Sequence, residues 1–191
     1  MFASLEDQAL INCLNQGGVV IIPTDTLYGI VARASDKQAV ERIYTLRGRA
    51  PEKPCIILAA GPWQITDTHL WTDAHRAIAA KYWPGAVSLV APTATTQEYL
   101  HRGTHTLAYR VPADSDLRAL LTNTGMLVAP SANPESSPPA TTLQEAQAYF
   151  GDRVDGYVDG GAFGDHEPST LVTLVDGAVR VLREGAVRVE G

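Results

Sequence analysis

Apolar residues recur along the chain in two rhythms, and the alternation between them predicts the elements. Between Ser4 and Asn15 the side chains Leu5, Ala9, Leu10, Cys13 and Leu14 fall on one side of a helix, with Ser4 as its cap and Gly17-Gly18 beyond its end. The continuous run from Val19 to Ile22 reads as a strand buried on both faces and stopped by Pro23. Helical spacing returns at Ala39, Val40, Ile43, Tyr44 and Arg47, with Asp36 placed to start it. CIILAA from Cys55 is a second buried strand, residues 61–70 a connection, and Asp73 to Trp83 a third helix closed by Trp83-Pro84-Gly85.

VSLVAP follows as a strand, and Thr106 to Val111 alternates so that Thr106, Ala108 and Arg110 share a face. Asp116 to Thr124 is a short helix, MLVAP a strand running into Ser131-Ala132-Asn133, and Thr142 can cap a helix through Phe150. VDGYVDGG reads as strand and turn, and TLVTLVDGAVRVLREG as a hairpin around Asp176-Gly177. Helices and strands alternate at first and strands then dominate, which predicts an α/β fold with helices on a mixed sheet.

Composition narrows this picture. With 191 residues, 45% of them hydrophobic and 19% charged, the expectation is one globular domain over 1–191. No run approaches the ~18 apolar residues of a membrane helix. Glu6 and Asp7 stand where a signal peptide carries cations, so a cytoplasmic protein without a membrane partner is expected. Cys13 and Cys55 lie in apolar surroundings and read as buried thiols. The net charge of −6 argues against a general nucleic-acid coat, yet Arg33, Lys37, Arg42, Arg47, Arg49 and Lys53 crowd one region.

Within that region RGRAPEKP, residues 47–54, places three cations between a helix and a strand. It reads as an anion site, because guanidinium forks match phosphate and carboxylate oxygens, or else as a solvated basic turn. Thr24, Asp25, Thr26 and Tyr28 emerge after a buried strand, where they either line a cleft or satisfy their own turn. Arg110 suggests a carboxylate clamp, with a solvent-facing edge residue as the alternative. His101 and His105 are four apart, but Gly103 breaks the helix that would make them a metal pair. The standard phosphate cradles GxxxxGK[ST] and GxGxxG are absent from the sequence.

PTDTLYG, the 47–54 loop, WPGAVSLV, TLAYRVP, APSAN, DGG, PSTLV and LREGA stand in this order between Gly17 and Gly185. The ordered set resembles the YrdC/TsaC family of L-threonylcarbamoyladenylate synthases in its short, single-domain form. The resemblance implies a twisted, mainly parallel mixed sheet with flanking helices around a concave basic surface. It implies a nucleotidyltransferase that joins L-threonine, bicarbonate or CO2 and ATP, with Mg²⁺ brought by ATP, into threonylcarbamoyl-AMP and pyrophosphate. A partner complex then modifies the adenosine next to the anticodon of tRNA, and tRNA itself is a candidate contact.

Carried over by residue, Arg47, Arg49, Ser131 and Asn133 are the catalytic set. Thr26, Tyr28 and Arg110 hold threonine, and Lys53, Thr106 and Arg183 lie near ATP. Arg47 stands where the family usually has Lys, Val31 where a glycine is common, Leu58 for a frequent His and Pro139 for a frequent Ser. The resemblance also leaves room for an alternative, a YciO-like RNA- or nucleotide-binding module of the same fold with altered chemistry.

Overall fold

Among the described residues, five of the six α-helices start at a side-chain oxygen that accepts from a backbone N–H of the first turn. Asp7 caps α1 (Gln8–Asn15) and Asp36 caps α2 (Lys37–Arg47), through Ala9 N at 2.8 Å and Ala39 N at 3.0 Å. Thr72, Asp114 and Thr142 cap α3 (Asp73–Tyr82), α5 (Ser115–Thr124) and α6 (Leu143–Phe150). The short α4 (Glu98–His101) has no such cap. Ser4 is not the first cap. Its hydroxyl accepts from Glu6 N, while the Asp7 carboxylate takes both Ala3 N and Ala9 N, and the group satisfying two amides sets the helix start.

The computed structural model describes residues 1–190. Nine strands form one sheet among them: β1 (Val20–Pro23), β2 (Tyr28–Arg33), β3 (Ile56–Leu58), β4 (Val87–Pro92), β5 (Thr106–Arg110), β6 (Leu127–Val128), β7 (Gly156–Tyr157), β8 (Thr170–Val175) and β9 (Ala178–Arg183). Their order is β7-β1-β2-β6-β3-β5-β4-β8-β9.

The sheet is mixed, as expected, but not mainly parallel. Five pairings are antiparallel and three, β1/β7, β3/β5 and β4/β8, are parallel. The excess arises from β2, which the sequence pattern does not announce. The chain reverses over residues 24–27 and returns beside β1, pairing Ile21 with Ile30. β6 then inserts between β2 and β3, antiparallel to both.

Successive strand residues point to opposite faces, so the sheet builds two cores. Ile21, Ile57 and Tyr109 pack on one face with Val40 and Ile43 of α2, Ile78 of α3 and Phe150 of α6. Val20, Ile22 and Leu58 pack on the other with Leu10 and Leu14 of α1 and Leu117, Leu120 and Leu121 of α5. Val31 belongs to this second core rather than to a ligand pocket, and Leu58 is buried there too.

One carboxylate is built into the interior. Asp67 accepts from Thr93 Oγ1 at 2.5 Å, Tyr109 Oη at 2.7 Å and Ala94 N at 3.1 Å. Burial opposes its ionisation, but the three donors outweigh burial and hold the carboxyl below its ordinary 3.8. A lowered folded value means that this stabilisation is complete above pH 3.8 and is lost as pH falls through the folded value. Asp67→Asn should cost about 1–3 kcal/mol at neutral pH, since an amide N–H cannot accept. It should also flatten the acid limb of stability against pH, read by urea unfolding at a series of pH values.

Candidate active site

The 47–54 loop begins where α2 stops at Gly48, whose left-handed φ of 59° turns the chain out of the helix. That turn leaves Arg47 as the last helical residue, only 5% exposed. Its Nε donates to the Asn133 carbonyl at 2.8 Å, and its Nη2 to Asn133 Oδ1 at 3.4 Å and Ser131 Oγ at 3.5 Å. Nη1 is buried and has no acceptor among the described residues. The loop after β6 thus grips the end of α2, and its Glu135 adds three more bonds, one to α2 and two to the 47–54 loop. Glu135 N donates to the Arg47 carbonyl at 2.7 Å, and the Glu135 carboxylate accepts from Ala50 N at 2.6 Å and Lys53 Nζ at 2.8 Å. Arg49 lies along its own loop, with Nε on the Lys53 carbonyl and Nη2 on the Pro54 carbonyl.

The opposite side comes from the β1–β2 turn and from β5. Thr24 Oγ1 donates to the Leu27 carbonyl and accepts from Thr26 N and Leu27 N, a hydroxyl-closed turn that sets Thr26 Oγ1 3.1 Å from it. Asp25, between them, accepts from Arg110 Nη1 at 2.6 Å and from Ala113 N at 2.9 Å. The pair is sealed, with side chains 5% and 8% exposed, and Arg110 Nε has no acceptor among the described residues. Tyr28 contributes its ring, because its hydroxyl is committed to the 159–161 turn, donating to the Gly161 carbonyl at 2.9 Å and accepting from Gly160 N at 2.8 Å. From β9, Arg183 Nη2 reaches the Ser169 carbonyl at 2.7 Å.

These groups enclose a cavity of about 510 Å3, a size suited to a small-molecule ligand. Of the ten expected site residues, Thr26, Tyr28, Arg47, Arg49, Thr106, Arg110, Ser131 and Arg183 line it. Asn133 sits behind Arg47 as its acceptor, and Lys53 lies outside, drawn to Glu135. Asp25 and Ser169 were not in the expected set. Asp25 belongs to the polar group Thr24, Asp25, Thr26 and Tyr28 that follows a buried strand, and Ser169 to the PSTLV stretch, but neither signal assigned a role. Pro139 lines the cavity, whereas Leu58 and Val31 do not.

Among the described residues, the walls carry four guanidiniums and no carboxylate. Burial pulls the pKa of Arg47 down, and Arg49 beside it adds to the effect. Arg110 is lowered by burial against the opposing pull of Asp25, and Arg183 by partial burial and then by Arg110 and Arg49. Three of the four, Arg47, Arg49 and Arg183, bond only uncharged acceptors among the described residues, a crowding of guanidiniums that an anion relieves.

Residues 12–185 match the Sua5/YciO/YrdC family model, described as telomere recombination. The chain belongs to this family. Its similar members include the threonylcarbamoyl-AMP synthase of Marinobacter nauticus, 36% identical over 166 residues that cover 84% of this chain and 87% of that one. The synthase of Pseudoalteromonas translucida is 32% identical over 177 residues, covering 90% of this chain and 94% of that one. Among solved structures, P. abyssi Sua5 complexed with L-threonine superposes with a TM-score of 0.85 at 28% identity, over 93% of this chain and 53% of that one. The chain therefore spans about half the length of that Sua5. Escherichia coli YciO superposes with a TM-score of 0.81 at 25% identity, over 93% of this chain and 87% of that one.

The two ion pairs at the site differ in kind. Asp25→Ala should destabilise the protein by about 3–5 kcal/mol, because it leaves the Arg110 cation buried and unpaired. Lys53→Ala, which breaks a pair open to water, should change stability by no more than about 1 kcal/mol. Paired thermal and denaturant melts read both.

Proposed function

We propose that the chain is a threonylcarbamoyl-AMP synthase, condensing L-threonine, bicarbonate or CO2 and ATP with release of pyrophosphate. The observation that carries this reading is the group of four guanidiniums around a cavity with hydroxyls and no carboxylate on its walls. The names of its relatives and the threonine named for Sua5 point the same way.

Arg110, oriented by Asp25, would take the threonine carboxylate with the nitrogens that Asp25 does not hold. Thr26 would receive the polar end of the same substrate. Arg47 Nη1, Arg49 and Ser131 would face the triphosphate, with Asn133 acting through Arg47. Thr106 and Arg183 would border the nucleotide. Lys53 would join them only by leaving Glu135. ATP would arrive with Mg²⁺ on its phosphates.

The amine of threonine, once carboxylated, presents a carbamate oxygen that attacks the α-phosphorus. The bond from that phosphorus to the bridging oxygen of the β-phosphate breaks, and pyrophosphate leaves with the electron pair. Two anions must meet in this step, so fixed cations that neutralise and orient them supply the catalysis, and no protein nucleophile is needed. The product would pass to a transferase complex acting on tRNA in the cytoplasm. The structural likeness to YciO sustains a second reading, a nucleotide- or RNA-binding module without this turnover.

Pyrophosphate release with and without L-threonine, together with the product mass, decides between them. Threonine-dependent release of pyrophosphate and threonylcarbamoyl-AMP is expected, whereas ATP binding without it would establish the binding module. Arg47→Ala and Arg110→Ala should each lower kcat/KM by about 10²–10³. The Arg110 change should fall mainly on the KM for threonine, and equal losses toward ATP and threonine would overturn its assignment.

A further inference from the structure

Lys53 and Glu135 tie together two loops that border the same cavity. Arg49 and Pro54 line it from the 47–54 loop, Ser131 and Pro139 line it from the loop after β6, and the Lys53–Glu135 bond of 2.8 Å joins the two. Neither partner is itself part of the wall. Lys53 is thus a cation kept at the rim while Arg47 and Arg49 of the same loop turn inward.

The two partners are held differently. Glu135 sits on a turn closed by the Asn133 side-chain amide, which donates to the carbonyls of Pro134 and Ser137 at 2.8 Å each. Its carboxylate also accepts from Ala50 N at 2.6 Å. Lys53 and then the Ala50 amide hold the Glu135 carboxyl below its ordinary 4.5, so it is ionised at neutral pH. The Lys53 ammonium has no other acceptor among the described residues, and its side chain is 56% exposed against 26% for Glu135. A carboxylate anchored on a turn faces an ammonium at the end of a flexible stem. When the pair opens, Lys53 is the partner that moves.

A phosphate that takes Lys53 must first displace Glu135. A single phosphate inside the cavity meets Arg47, Arg49 and Arg183 on the walls, and a longer chain is needed to extend past them to the rim. We propose that Glu135 is a specificity-determining residue for the phosphate chain: it competes with a ligand's outer phosphates for Lys53 and so sets how tightly a triphosphate is held relative to a monophosphate. The inference rests on the reading of the cavity as a nucleotide site and deepens it. An ion pair open to water is weak, so the exchange of one anionic partner for another is nearly balanced. Lys53 returns to Glu135 as the outer phosphates depart, and the carboxylate thereby limits how firmly they, or the pyrophosphate they become, are retained.

A double-mutant cycle tests it, with Glu135→Gln, Lys53→Met and the double variant titrated calorimetrically with ATP and with AMP at one fixed Mg²⁺ concentration. Glutamine keeps an oxygen for Ala50 N and gives up the charge that holds Lys53. Glu135→Gln should tighten ATP. The loss of ATP affinity caused by Lys53→Met should be about three- to fivefold larger in the Glu135→Gln background than in the native one, because the competitor is then gone. For AMP the two changes should combine independently.

A charge that acts only through the surrounding field also combines independently for ATP. That result, with ATP still bound, would overturn the role of Glu135 and leave the synthase reading standing. A coupling of equal size for AMP would overturn the role too, and failure of every form to bind ATP would overturn both readings. In turnover, Glu135→Gln should lower the KM for ATP and leave that for threonine unchanged, whereas an equal shift in both would make Glu135 a support of the whole cavity and overturn its part in selecting the phosphate chain.

Discussion

Burying Arg47 with no carboxylate bonded to it among the described residues is the constraint to which most of the cavity answers. A lone cation out of water is several kcal/mol unfavourable unless oxygen atoms surround it. Here the oxygens come from Ser131 and Asn133, up to 86 residues further along the chain. The loop after β6 must therefore sit against the end of α2, and Glu135 fastens the same contact from the other side through Ala50 N and Lys53. Acceptors that carry no full charge leave the guanidinium's positive charge uncancelled. Arg110 shows the opposite solution, since the Asp25 carboxylate bonded to it offsets part of its burial and fixes its direction. One wall of the cavity thus supplies potential and the other supplies orientation.

The sequence made legible whatever local chemistry decides. Asp176 and Gly177 both adopt positive φ, 52° and 81°, as a two-residue hairpin between twisted strands requires, and Asp36 and Thr142 cap where a short polar side chain precedes a helical pattern. β2 was not legible, because Tyr28-Gly29 follows a polar turn and glycine weakens a strand pattern, while its pairing with β1 is a tertiary fact. The same limit hid the antiparallel majority, which depends on β6 entering between β2 and β3 from far along the chain.

At the site, residue types were readable and directions were not. The cations of RGRAPEKP are present, but which of them turns inward is decided by Glu135, which takes Lys53 away, and by Asn133, which draws Arg47 in. Ser169, though part of PSTLV, gave no cue to its partner, because its place follows from the pairing of β4 with β8 and from Arg183 on the neighbouring β9. A loop side chain gets its orientation from partners that are remote in sequence, and spacing along the chain carries no record of them.

The parallel pairing of β1 with β7 also sets an order for biosynthesis. Val20 lies opposite Gly156, Val19 N donates to Asp155, and Phe2 bridges Val158, so the first strand takes its outer neighbour from the last quarter of the chain. As the polypeptide leaves the ribosome, the apolar edge of Val19 to Ile22 stays open until residue 157 has emerged. An unpaired edge of this kind invites pairing with other chains. The newborn protein thus carries an open apolar strand edge through most of its translation and shields it only near the end.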